Sequence, residues 1–114
     1  MKMDSATRAL SALSHAHRLA AFRLLVQAGP EGLPAGEIAS ALGISPPALS
    51  FHLSQLSTTG LVRTKHAGRF VYYRADFDAM NALLAFLTEN CCGGNPCTPA
   101  PRLGASKRRR LVES

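Results

Sequence analysis

EIASALGISPPALSFHLSQLSTTGLV, residues 37–62, holds two short segments of helical periodicity on either side of a Gly-Ile-Ser turn. The first segment spans Ala35–Leu42, with Ile38 and Leu42 inward and Gly43 as its stop. In the second, Ser45 is a suitable N-cap, because its hydroxyl can accept a backbone N–H of the first turn. Pro46 falls where a missing N–H costs nothing. Leu49, Leu53 and Leu56 recur at i, i+4 and i+7 and share a buried stripe, and Gly60 ends the helix. If that stripe faces the core, then Pro47, Phe51 and Ser54 face solvent. Ser50 and Gln55 flank them, and His52 sits on the shoulder within reach of a phosphate. Two short helices across a three-residue turn form a helix-turn-helix pattern, whose second helix is the candidate for reading DNA. Ser and Gln can hydrogen-bond base edges, and Phe51 can touch a thymine methyl.

Downstream, LVRTKHAGRFVYYRAD (residues 61–76) turns to β character. Leu61–Lys65 and Arg69–Arg74 flank a loop containing Gly68, which predicts a hairpin with His66 at its tip. Tyr72 and Tyr73 alternate, so one packs and the other is exposed. Asp76 can cap a last helix, FDAMNALLAFLTEN (residues 77–90), in which Phe77, Met80, Leu83, Leu84 and Leu87 form a wide apolar face. Upstream, Asp4 or Ser5 can cap a first helix reaching about Leu13. HAHRLAAFRLLVQA (residues 15–28) is a second, with Leu19, Phe22, Leu25 and Val26 on one face and Gly29-Pro30 as its end. Glu31–Pro34 reads as a loop. His15 and His17 read as surface or capping residues, and as ligands the histidines look scattered. The fold class expected is mainly α (α+β): a winged helix-turn-helix with a two-stranded β-hairpin wing.

The chain has 114 residues, 46% apolar and 18% charged, the size and make-up of one small folded domain. No apolar run approaches the roughly 18 residues needed to span a bilayer, and MKMDSATRAL lacks the apolar core of a signal peptide. A cytoplasmic location is the default expectation. The formal charge is +6, which suggests a polyanionic partner. From Cys91 onward, Arg102, Lys107, Arg108, Arg109 and Arg110 against Glu113 give +4, leaving +2 for the rest. The candidate reading helix carries no Lys or Arg. Arg63, Lys65, Arg69 and Arg74 therefore have to supply the phosphate contacts from the hairpin. A solvated polar face is the plainer reading of those charges. No phosphate-cradling Gly loop, paired catalytic carboxylates or nucleophile–base motif is present, so an enzyme is not expected.

Three pieces, ALSHAHRLAAFRLL, EIASALGISPPALSFHLSQLSTTGLV and GRFVYYR, together resemble the ArsR/SmtB family of bacterial repressors, over about residues 6–90. The resemblance implies a homodimer on a palindromic operator that releases DNA on binding a metal or metalloid, with the first and last helices as the dimer interface. Residues 6–13 and 77–87 would serve here. Independently, the last helix has more apolar surface than one small domain covers. The family's inducer sites do not all carry over. The helix before the reading helix, AGEIASAL, has no Cys. The last helix offers Asp76, Asp78 and Glu89 but no His.

Cys91, Cys92 and Cys97, the only cysteines, lie instead in TENCCGGNPCTPAP (residues 88–101). The chain accordingly divides into a winged-helix domain, 1–90, and a Cys/Gly/Pro-rich and basic tail, 91–114. Soft thiolates choose soft ions. A structural zinc site wants four ligands, whereas arsenic(III) and antimony(III) form three bonds and match three thiolates. The arrangement also resembles arsenic-responsive family members with three cysteines after the last helix. The expectation is an arsenite-responsive repressor that leaves DNA when As(III), or Sb(III), is bound as an inducer. Cadmium and lead also fit three thiolates. The alternatives are a thiol redox sensor, an inert tail, and a winged-helix module that binds protein rather than DNA. The basic run Lys107–Arg110 reads as a solvated tail.

Overall fold

A computed structural model describes residues 1–94. Cys97 and Lys107–Arg110 lie outside them. The elements run α1 (Met3–Leu13), α2 (Ala16–Ala28), β1 (Leu33–Pro34), α3 (Ala35–Leu42), α4 (Pro46–Thr58), β2 (Val62–Ala67), β3 (Phe70–Ala75) and α5 (Phe77–Leu87), then a 3-10 turn at Cys91–Gly94.

Local chemistry sets the boundaries. Ser45 accepts the Ala48 N–H through Oγ at 3.3 Å, with Pro46 at the first helical position. Gly43 lies in the left-handed region (φ 68°). Its N–H and that of Ile44 return to the Ala39 carbonyl at 2.9 and 3.2 Å, so α3 stops and the chain turns into α4. Asp76 caps α5, its Oδ1 accepting the Ala79 N–H at 3.0 Å. The first helix begins earlier than Asp4 or Ser5. Lys2 is its cap and makes no side-chain bond, and Asp4 lies in the first turn, where its charge suits the helix N-terminus.

The sheet has three antiparallel strands in the order β1-β3-β2, one more than the sequence suggests. Two residues of the expected Glu31–Pro34 loop, Leu33 and Pro34, pair with Tyr73 and Tyr72. A two-residue strand containing proline carries no periodicity to read. Gly32 permits this approach: a Cβ there would meet the Tyr73 carbonyl oxygen at 2.2 Å, and its φ is +72°. The hairpin closes at Gly68–Arg69. His66, expected at the tip, sits within β2 opposite Val71.

The core joins Leu25 and Phe22 of α2, Ile38 of α3, Leu49, Leu53 and Leu56 of α4, Leu61, Val62 and Ala75 of the wing base, and Leu83 of α5. Alanines at 6, 9 and 12 form the buried stripe of α1, small enough to seat that helix close to α2, α4 and α5. Tyr73 packs against this core, and Tyr72 is half-buried on the opposite sheet face. Among the described residues, no helix is long and apolar enough to cross a membrane.

Several apolar side chains remain exposed: Met3, Leu10, Leu19, Leu84 and Leu87. Leu19 was expected in the buried face of α2. It lines instead an open groove of ≈ 440 Å³ together with Leu13, Phe22, Met80, Leu83 and Leu84.

Candidate nucleic-acid interface and thiol turn

With Leu49, Leu53 and Leu56 locked in the core, the helical period turns Ser45, Pro47, Ser50, Phe51, Ser54 and Gln55 outward, and all are exposed. Phe51, at 58%, is a large aromatic ring standing in solvent on the reading helix. The surface thus offers three hydroxyls, one amide and one ring, with no charge.

His52 does not join this surface. It is buried, its Nδ1 accepts a hydrogen bond from the Arg18 guanidinium at 3.2 Å, and its ring lies 4.5 Å from that of His15. Its helical phase explains the correction: position 52 follows 49 and precedes 53 and 56 on the inward side. Burial, then the nearby His15, Arg18 and His17, holds its pKa below the usual histidine value. Arg18 also donates from Nε to the Ala12 carbonyl at 2.7 Å, so one guanidinium joins α1 to the reading helix. Three of the four histidines are not scattered either, although His66 stands apart in β2. His15 caps α2 by accepting the His17 N–H, and His15, His17 and His52 bring one ligand nitrogen each within 4.8 Å of the others. The H-x-H spacing was visible in the sequence, but the third member comes from another helix, and no local signal could have supplied it.

On the wing, cross-strand register puts Arg63 opposite Arg74 and Lys65 opposite Tyr72, all on one sheet face. Like charges directly opposite repel. Asp76 relieves them by forming an ion pair with Arg63. Arg63 is therefore part of the wing's framework, although 62% of its side chain remains exposed. Lys65 and Arg69 are exposed and Arg74 is half-buried. Arg8 of α1, which the sequence reading passed over, lies with Arg18, Gln55, Thr58 and Thr59 around a shallow hollow of ≈ 240 Å³. That places a further cation beside the C-terminal half of the reading helix.

The helix-turn-helix domain family HTH_20 matches residues 13–65. The chain is 32% identical over 89 residues to the HTH-type transcriptional regulator YgaV of Escherichia coli (strain K12), covering 78% of this chain and 88% of YgaV. Among solved structures, an ArsR-like transcriptional regulator from Rhodococcus sp. RHA1 superposes with a TM-score of 0.66 at 28% identity, over 74% of this chain and 76% of that one. The chain belongs to the ArsR family of winged-helix transcriptional regulators. Another similar structure is the homodimeric winged helix-turn-helix DNA-binding domain of Mb0332 from Mycobacterium bovis, a possible ArsR-family regulator. Its TM-score is 0.63 at 28% identity, over 82% and 86% of the two chains. An ArsR-family protein is a DNA-binding regulator and not an enzyme, as its relatives are.

In this ArsR-family chain the thiol turn follows α5 directly. Thr88 takes the C-cap, and the Cys91 N–H donates to its carbonyl at 2.9 Å. Cys91 and Cys92 are exposed, with their Sγ atoms 3.8 Å apart. Cys92 adopts a positive φ of 57°. Of the three sequence-selected cysteines, the structure thus places two side by side at the end of α5, while the third lies outside the described residues.

Proposed function

We propose that this ArsR-family protein is an arsenite-responsive repressor, bound to a palindromic operator as a homodimer. It lets go when As(III), or Sb(III), is captured by Cys91, Cys92 and Cys97. The observation that carries the reading is the adjacency of two exposed sulfurs on the turn just past Leu84 and Leu87, the exposed part of the α5 apolar face. In the binding step arsenous acid condenses with three thiols. Three As–S bonds form, three As–O bonds break, and three waters leave. The cysteines must be reduced for this.

The dimer partner is a second copy of the chain. Its own α1 and α5 would cover Leu10, Leu84 and Leu87, in keeping with the homodimeric Mb0332 relative. On DNA, Ser50, Ser54 and Gln55 address base edges and Phe51 a thymine methyl, while Ser45 and Pro47 bring the α4 N-terminus to the backbone. Lys65, Arg69, Arg8 and the outer edge of Arg63 neutralise phosphates. Drawing the sulfurs together reorients the end of α5 and with it the spacing of the two reading helices. That spacing must match half-sites about 34 Å apart, or a multiple. A coupling of about 1–3 kcal/mol changes DNA affinity roughly 5- to 150-fold.

A second reading, a thiol redox switch, is favoured by the exposed vicinal pair Cys91 and Cys92. Titrating reduced protein on its operator with arsenite, and separately with peroxide, distinguishes the two. Arsenite is expected to release the native protein, and each Cys→Ser variant should need a much higher dose. Release of the C91S/C92S/C97S variant at the native arsenite dose would sink the proposal. Release by peroxide alone would favour the redox switch.

A further inference from the structure

We propose that His15, His17 and His52 form a second inducer-independent site, for a divalent transition-metal ion of the zinc type, joining the start of α2 to the reading helix α4. The three imidazoles converge from two elements. Their ring centroids are 4.5 Å apart for His15–His52, 5.7 Å for His17–His52 and 5.8 Å for His15–His17, and one ligand nitrogen of each lies within 4.8 Å of the others. Tetrahedral zinc with Zn–N bonds of about 2.0–2.1 Å needs nitrogens roughly 3.4 Å apart. The remaining gap closes by side-chain rotation of His15 and His17, which are both exposed, onto His52, which the core holds still. Imidazole suits zinc, nickel and copper(II), and three protein ligands leave a fourth position for water.

Binding has an identifiable cost. Nδ1 of His15 accepts the His17 N–H, and Nδ1 of His52 accepts from Arg18. If the ion takes Nε2 of His52, the ring proton moves to Nδ1 and faces the guanidinium. If the ion takes Nδ1, it displaces the guanidinium outright. Either way the Arg18–His52 bond is exchanged for a metal bond, while Arg18 keeps its hold on the Ala12 carbonyl through Nε. The ion thus replaces one tie between α2 and the reading helix with another.

The test uses full-length, tag-free C91S/C92S/C97S protein, so that thiols contribute nothing and its outcome is independent of the arsenite reading. Cobalt(II) is the probe, followed by displacement with zinc(II). One cobalt per chain is expected, with the visible absorption of a four-coordinate nitrogen/oxygen site. His15→Asn, which keeps a capping acceptor, and His17→Ala should each weaken binding about tenfold or more while leaving the thermal melt unchanged. Absence of saturable cobalt and zinc binding, or binding that persists in the H15N/H17A double variant, overturns the proposal. His52 is left intact because its removal would disturb the core.

Discussion

Asp76 shows how much one side chain carries. Its carboxylate caps α5 through the Ala79 N–H and pairs with Arg63, while its own N–H donates to the Leu61 carbonyl at 2.8 Å. The cap first, then the Arg63 hydrogen bond, holds its pKa below the ordinary value of 3.8, against the opposing effect of burial. A depressed carboxyl pKa means that the folded state binds fewer protons than the unfolded chain. The resulting stability is present above the ordinary value and is lost as pH falls through the folded one. Asp76→Ala should cost about 1 kcal/mol near neutral pH, chiefly from the cap. Chemical denaturation of native and variant protein at neutral and acidic pH measures this, and the gap between them should close in acid. The exposed side of the Arg63 pair contributes little on its own.

At the scale of elements, the proposed reading and gripping fall to different parts. The reading helix presents uncharged Ser50, Phe51, Ser54 and Gln55, while the cations stand on the wing and on α1. Lys65→Ala and Arg69→Ala should therefore weaken all DNA sequences alike, each lowering the salt slope of operator binding by about 0.9. Ser50→Ala and Gln55→Ala should leave that slope unchanged and relax base preference at their own positions, by about 1–3 kcal/mol for a good contact. Fluorescence anisotropy across a salt series, on the operator and on mismatched duplexes, separates the two behaviours. The outward placement of Ser50, Phe51, Ser54 and Gln55 was legible beforehand, because Leu49, Leu53 and Leu56 fix the phase of α4 and a helix has only one such phase. What escaped was non-local. The place of His52 beneath His15 and Arg18 depends on how α2 crosses α4, and the pairing of Leu33 and Pro34 with β3 depends on a glycine that lets backbones touch. Neither leaves a periodic trace. The Arg63–Asp76 pair likewise joins residues that each had a different plausible use.

For the whole molecule, a single chain leaves Leu10, Leu84 and Leu87 in water and an apolar groove beside α2 and α5. A domain of this size gains much of its burial by association. Leu84→Glu with Leu87→Glu should give a folded monomer in sedimentation analysis, with native circular dichroism, and operator affinity should fall sharply because one half-site no longer helps the other. A variant that stays dimeric and binds as before would place the interface elsewhere.

The junction at Asp76 has one more consequence. Strand pairing, helix cap and ion pair all meet within a few ångströms where β3 becomes α5. The hairpin and the terminal helix are thereby welded at the carboxylate into one rigid corner, with the basic wing on one side and the sulfur-bearing turn on the other. If the proposed sensing holds, torque applied at the far end of that helix has a stiff path to the wing.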